Sequence, residues 1–143
     1  MTAPLAFITG ASSGIGQALA ARFARAGYRL ALVARRGDLL ASLEAELAKS
    51  GAAQTLAIAQ DLTAPGAPAQ VRDQVLATFG GIDVLVNNAG FIGVTPVAAT
   101  STKHYDLMHA LNTRAPMITM RECLPQLVAR QGQVLNLCPP INL

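Results

Sequence analysis

Apolar residues in this chain gather into short unbroken runs, and the segments between those runs carry a helical stripe. The runs near residues 4–9, 28–34, 54–59, 82–87 and 133–138 each predict a strand. Leu30-Ala31-Leu32-Val33-Ala34 shows no polar alternation, as expected of a strand covered by helices on both faces. The Ala/Leu-rich segment from Gln17 to Ala26 predicts a first helix. In a second, Leu39, Leu40, Leu43 and Leu47 form one stripe, Glu44, Glu46 and Lys49 lie elsewhere, and Gly51 is placed to end it. A third is expected from Pro68 to Phe79, stopping at Gly80-Gly81. Residues 101–130 read as helical, with interruptions expected at Pro116 and Pro125 because proline lacks the N–H that a helix interior requires. Strands alternating with helices predict an α/β fold, a doubly wound parallel sheet in a single domain spanning residues 1–143. Repeats, linkers and low-complexity tracts are absent from the sequence.

The first strand leads into Thr9-Gly10-Ala11-Ser12-Ser13-Gly14-Ile15-Gly16. Glycines at 10, 14 and 16 let the backbone turn sharply, approach a phosphate closely and pack the helix against the strand. The helix N-terminus then directs free N–H groups at the anion. An ordinary βα turn would also use glycine, but a strand before and a helix after are the context of a dinucleotide fingerprint. Ser12 and Ser13 fall in this phosphate loop, where a hydroxyl can donate to a phosphate. No Lys-Ser/Thr pair follows Gly16, which argues against a kinase-type P-loop.

The spacing Thr-Gly-x-x-x-Gly-x-Gly resembles that of the short-chain dehydrogenase/reductase family. So does Asn87-Asn88-Ala89-Gly90 after the strand-like Ile82 to Val86, as do Asp61-Leu62 after the third apolar run and Asn112 in its helical segment. These matches occur in the family's order and cover nearly the whole chain. The resemblance implies a Rossmann-like fold and hydride transfer between a nicotinamide cofactor and a carbonyl or alcohol carbon. It implies cofactor contacts from Gly10, Ser12, Ser13, Gly14, Ile15 and Gly16, and from Asp61, Leu62, Asn88, Ala89 and Gly90. Asp61 has two readings, an Asx turn or helix cap and a contact to the adenine amine. Asn87 and Asn88 are expected to brace the sheet as well as to approach the ribose. Asn112 is the one member of the family's catalytic tetrad that transfers. There the asparagine interrupts a helix, and its main chain holds a water linked to the catalytic lysine.

The rest of that tetrad, a Ser and a Tyr-x-x-x-Lys pair, finds no match. Cys138-Pro139-Pro140 follows the fifth predicted strand, with Pro139 at the serine position. Leu32 stands four residues after Tyr28, and His109 four after Tyr105. Tyr105, His104 and His109 read as surface or satisfied interior groups. The expectation is therefore a cofactor-binding domain truncated after about the fifth strand, with negligible turnover by itself. A non-catalytic nucleotide-binding protein or sensor, or a truncated or frameshifted product, are the alternatives. In the family, two or so further strands complete the sheet, so the fifth strand is expected to be an edge. Self-association through the helices within residues 101–130 is expected.

The second strand ends at Ala34-Arg35-Arg36, where an NAD site places an Asp or Glu on the ribose hydroxyls. Solvated loop charge is one explanation for the two arginines. Beside the glycine fingerprint, recognition of a 2′-phosphate by Arg35 and Arg36 is the other, and it favours NADP(H) over NAD(H). Asp38, the nearest acid, is placed to favour the N-terminus of the next helix.

Composition narrows the remaining classes. The 143 residues are 52% hydrophobic and only 13% charged, enough apolar content to bury a core. A net charge of +3 and 4% aromatic residues give no platform for stacking nucleic acid. No apolar stretch is long enough to span a bilayer, and Met1 to Pro4 has no basic region of a signal peptide. Cys123 and Cys138 lack metal-ligand or redox spacing, so a reduced, cytoplasmic setting without a metal is expected.

Overall fold

The computed structural model describes residues 2–138. Its strands are β1 (Leu5–Thr9), β2 (Arg29–Ala34), β3 (Gln54–Ala59), β4 (Val84–Asn87) and β5 (Gln133–Asn136). All pair in parallel in one sheet, in the order β3-β2-β1-β4-β5. The reversal of order beside β1 puts a crevice at the carboxyl ends of β1 and β4, the place where open α/β sheets bind ligands.

Successive side chains of the inner strands go to opposite cores. Leu5 and Phe7 of β1, Ala31 and Val33 of β2, and Leu85 of β4 pack with α3 (Ala67–Phe79) and α5 (Ala115–Ala129). Ala6, Ile8, Leu30, Leu32, Val84 and Val86 face α1 (Gly14–Arg25) and α2 (Gly37–Lys49). This double burial is why the inner strands read as continuous apolar runs. In α2, Leu40, Leu43 and Leu47 are buried as the stripe predicts. Cys123 is buried in the α5 layer, and that burial pushes its thiol up to about 12, leaving it an unreactive apolar filler.

Several boundaries differ from expectation. Helix α1 begins at Gly14, not Gln17, because the last glycines of the turn are themselves its first residues. The fifth strand stops at Asn136; it is an edge strand, and all its residues are exposed. The interruptions in residues 101–130 are also only half as expected. Helix α4 (Thr102–His109) runs into a π turn, Ala110–Arg114, in which the Ala115 N–H reaches back to the Ala110 carbonyl. This wide turn lies where Pro116 withholds the donor that the Asn112 carbonyl would otherwise receive. Pro125, by contrast, sits inside an unbroken α5. Its missing N–H falls opposite the Arg121 carbonyl, and both residues are exposed, so water can take that carbonyl. Pro139 and Pro140, including the expected serine position, lie outside the described residues.

Because Phe7 is fully buried on the central strand and Leu135 is 38% exposed on the edge, the two should respond very differently to truncation. Phe7→Ala is expected to cost about 3–5 kcal/mol and Leu135→Ala under about 1 kcal/mol, read by urea denaturation. Similar losses at both positions would mean that the β5 edge is covered in solution.

Candidate cofactor site

The crevice is built on Thr9, the last residue of β1. Its buried Oγ1 accepts the main-chain N–H groups of Asn88 and Ala89, each at 3.0 Å, and donates to the Val86 carbonyl at 3.3 Å. Asn88 answers from the other side, its Nδ2 donating to the carbonyls of Thr9 at 3.1 Å and Gly10 at 3.0 Å. The Asn-Asn-Ala-Gly turn and the glycine turn are thus locked together before any ligand arrives. The amide of Asn88 is a brace, while the residue also lines the cleft. Asn87 braces the next strand pair, donating from Nδ2 to Asn136 Oδ1 at 2.8 Å.

Two glycines of the turn are required for packing. Gly10 takes φ +64°, and a Cβ there would stand 2.8 Å from the Ala89 Cα. A Cβ on Gly16 would overlap the Gly10 carbonyl and the Asn88 amide. Gly14 differs: it adopts φ +57° with open space where a side chain would go. The N-cap Ser13 makes no side-chain capping bond and the first turn of α1 holds no acid, which leaves the positive end of that helix facing the crevice. The uncapped helix terminus, with Gly10, Ser12 and Ser13 lining the crevice beside it, fits the phosphates of a dinucleotide.

All the residues expected at the cofactor line one cleft of about 330 Å³ except Gly14 and Gly16. The exposed Arg35 and Arg36 stand at one end, with Asp61 and Leu62 across from them. Leu62 lines the cleft although its side chain is largely buried in the core. At Asp61 the turn geometry is real: Oδ1 accepts the Thr63 hydroxyl at 2.7 Å and the Thr63 N–H at 2.9 Å. These two bonds, helped by the positive charge of Arg35 and opposed by partial burial, hold its carboxyl below the usual range. Val33, Gln60 and Leu111 also line this cleft. Sequence reading missed them because they belong to no motif; only the strand ends and the π turn bring them there.

A second, more apolar cleft of about 710 Å³ adjoins the first, and Ile15, Asn88, Ala89 and Gly90 line both. Phe91, Ile92, Met117, Met120 and Leu137 furnish much of its wall, and no charged side chain does. Ile15 projects between the clefts, 61% exposed. Asn112 lines the second cleft with its carboxamide already engaged, Oδ1 accepting the Phe91 N–H at 2.8 Å and Nδ2 donating to the Phe91 carbonyl at 2.7 Å. Its side chain is a pin for the loop, and its main chain lies in the π turn that interrupts the helix. His104 is not a satisfied group, since its Nε2 is buried with no partner among the described residues. Among the described residues, no group of three His, Cys, Asp or Glu could hold a metal, and no helix is long and apolar enough to cross a membrane.

A family model described as short chain dehydrogenase matches residues 4–140. The chain belongs to the short-chain dehydrogenase/reductase family. It is 36% identical to the hydroxysteroid dehydrogenase-like protein 2 of Bos taurus, over 96% of this chain and 34% of that protein. An alcohol dehydrogenase from the archaeon Thermococcus sibiricus, solved with 5-hydroxy-NADP, superposes with a TM-score of 0.89 at 32% identity, covering 93% of this chain and 57% of that one. A metagenomic short-chain oxidoreductase solved with NADP gives 0.87 at 34% identity, over 96% and 65% of the two chains. The chain thus spans about a third of the curated relative and 57% and 65% of these two solved chains.

The Asp61 pairing has a measurable signature. Its carboxyl should titrate below the ordinary carboxylate range in a ¹³C NMR experiment, and Thr63→Ala should move it upward. With a depressed folded value, this carboxylate's contribution to stability is complete above the unfolded pKa and is lost as the pH falls through the folded one. A normal titration in the unmodified chain would refute the pairing.

Proposed function

We propose that these residues form the NADP(H)-binding portion of a short-chain oxidoreductase, the part that holds the dinucleotide for hydride exchange with a carbonyl or alcohol. The observation that carries this reading is the Ala34-Arg35-Arg36 end of β2, which lines the same cleft as the glycine turn and offers guanidinium groups where an NAD site needs a carboxylate. When bound, the nicotinamide supplies the hydride chemistry, and the chain's share is orientation and electrostatics. Gly10, Ser12, Ser13 and Ile15 cradle the phosphates, Gly14 and Gly16 shape the turn that presents them, and the α1 terminus adds its positive end. Arg35 and Arg36 take the 2′-phosphate. Asp61, one oxygen already held by Thr63, and the main chain of Leu62 bound the adenine. Asn88, Ala89 and Gly90 carry the ribose toward the apolar cleft, beside the Asn112 turn.

Binding without turnover by these residues alone is the second reading, and the two tyrosines favour it. Tyr28 lies at the start of β2, the opposite end from the cleft, edge-on to Phe23 with centroids 4.9 Å apart. Tyr105 is exposed on α4 beside His109. Neither lines the crevice or is followed by the lysine the family reaction uses. Carbonyl reduction by the 143 residues alone should therefore be negligible even where NADPH binds.

Fluorescence titration should show tighter binding of NADPH than of NADH. A charge-assisted hydrogen bond contributes about 1.5–3 kcal/mol, so Arg35→Ala should remove roughly ten- to a hundredfold of NADPH affinity and leave NADH little changed. Equal affinity for both dinucleotides in the unmodified chain sinks the preference, though not the fold.

A second copy of the chain is the partner proposed for the α4–α5 region. Leu107, Met117, Leu124 and Val128 are 44–68% exposed there, and the apolar β5 edge adds Val134 and Leu135. Light scattering across a concentration series should show mass increasing above that of a monomer. Replacing Leu124 and Val128 by Lys should reduce that increase, and a constant monomer mass would refute self-association.

A further inference from the structure

The loop that leaves β4 is held at two points, and only one of them belongs to the family's asparagine. Asn112 grips Phe91 by its N–H and its carbonyl, as a neighbouring strand would. His104 provides the other point. Its ring lies 5.2 Å from that of Phe91, tilted by 54°, and occupies the space beside Gly93 so closely that any Cβ there would overlap it. The backbone beneath the ring is fixed by Ser101, whose Oγ accepts the His104 N–H at 3.2 Å. Because Nε2 is buried with no hydrogen-bond partner among the described residues, the ring is held there by packing against Phe91 and Gly93.

What this contact holds is the outer wall of the apolar cleft. Phe91 and Ile92 line that cleft and not the arginine-lined one, and His104 lines neither. The cofactor reading above puts the adenine end at Arg35 and Asp61 and the phosphates at the glycine turn. The other half of the dinucleotide must then cross β1 toward β4, over the residues that the two clefts share. We propose that His104 is a positioning residue for the nicotinamide half: with Asn112 it clasps Phe91–Gly93 in place as the wall against which that half lies. The proposal rests on the cofactor reading and adds to it a residue that touches neither ligand nor reacting atom.

The test compares two ligands on the full 143-residue chain, NADPH and 2′-phospho-ADP-ribose, which keeps the adenine half and lacks the nicotinamide. His104→Ala should weaken NADPH by roughly three- to tenfold, the scale of one lost aromatic contact, and leave 2′-phospho-ADP-ribose within about twofold. His104→Phe keeps the ring and removes the orphaned nitrogen, so it should retain NADPH affinity. Gly93→Ala should reproduce the His104→Ala loss, because its methyl group displaces the imidazole. Hydrogen exchange at the Phe91 amide should quicken in His104→Ala and not in His104→Phe. Equal losses for both ligands, or unchanged exchange at Phe91, would overturn the clasp. Failure of the unmodified chain to bind either ligand overturns the cofactor reading and the proposal together. Normal binding of 2′-phospho-ADP-ribose with no effect of His104→Ala on NADPH overturns the proposal alone.

Discussion

A single buried hydroxyl joins the two halves of the crevice. Thr9 Oγ1 receives two main-chain N–H groups from the Asn-Asn-Ala-Gly turn, and the Asn88 carboxamide returns two bonds to the end of β1. Each of these groups would otherwise be a partly buried polar atom without a partner, a cost of about 1–3 kcal/mol apiece. Satisfying them mutually fixes the distance between the strands' carboxyl ends. The glycine turn can press on Ala89, and Gly16 beneath Gly10, only because that distance is set.

The sheet supplies the rigidity on which this joint depends. Its inner strands are buried on both faces, and the two cores carry few side chains larger than leucine. Small residues dominate the α1 layer, with Ala11, Ala20 and Ala24 fully buried, so that helix approaches the sheet closely. Close approach also places the first turn of α1 at the crevice, where its free N–H groups face outward. At this turn the chain offers main-chain N–H groups, and the side chains of Thr9 and Asn88 keep that backbone in position.

The fold was legible because the two signals on which it depends are local. Continuous apolar runs mark doubly covered strands, and glycine spacing marks the turn at β1. Residues that line one cleft could be named together because the motifs sit at strand ends, and a parallel sheet brings strand ends together. Side-chain pairing was harder to read. Nothing in the residues around Asp61 distinguishes a carboxylate that holds Thr63 from one free for a ligand until the turn closes. Pro125 looked like Pro116, yet its tolerance depends on which face of α5 meets water, and that phase is set by Cys123 and Leu127 entering the core. The engagement of Asn112 with Phe91, and of His104 with Gly93, joins segments whose contact has no periodic signature in the sequence.

The π turn constrains how this segment can vary in length. It places one more residue in the turn than an α-helix would, and each residue of a helix subtends about 100°. Deleting one residue between 110 and 114 would remove the extra residue of that turn, and everything on one side of it would rotate by that angle. Either Cys123 and Leu127 would leave the core, or the carboxamide of residue 112 would swing away from Phe91. Apart from Asn112, whose carboxamide pins Phe91, substitutions here can be absorbed one at a time, whereas a change in length cannot. In a lineage of related genes this stretch should accumulate replacements and reject insertions and deletions, the reverse of what an exposed, irregular helix junction ordinarily permits.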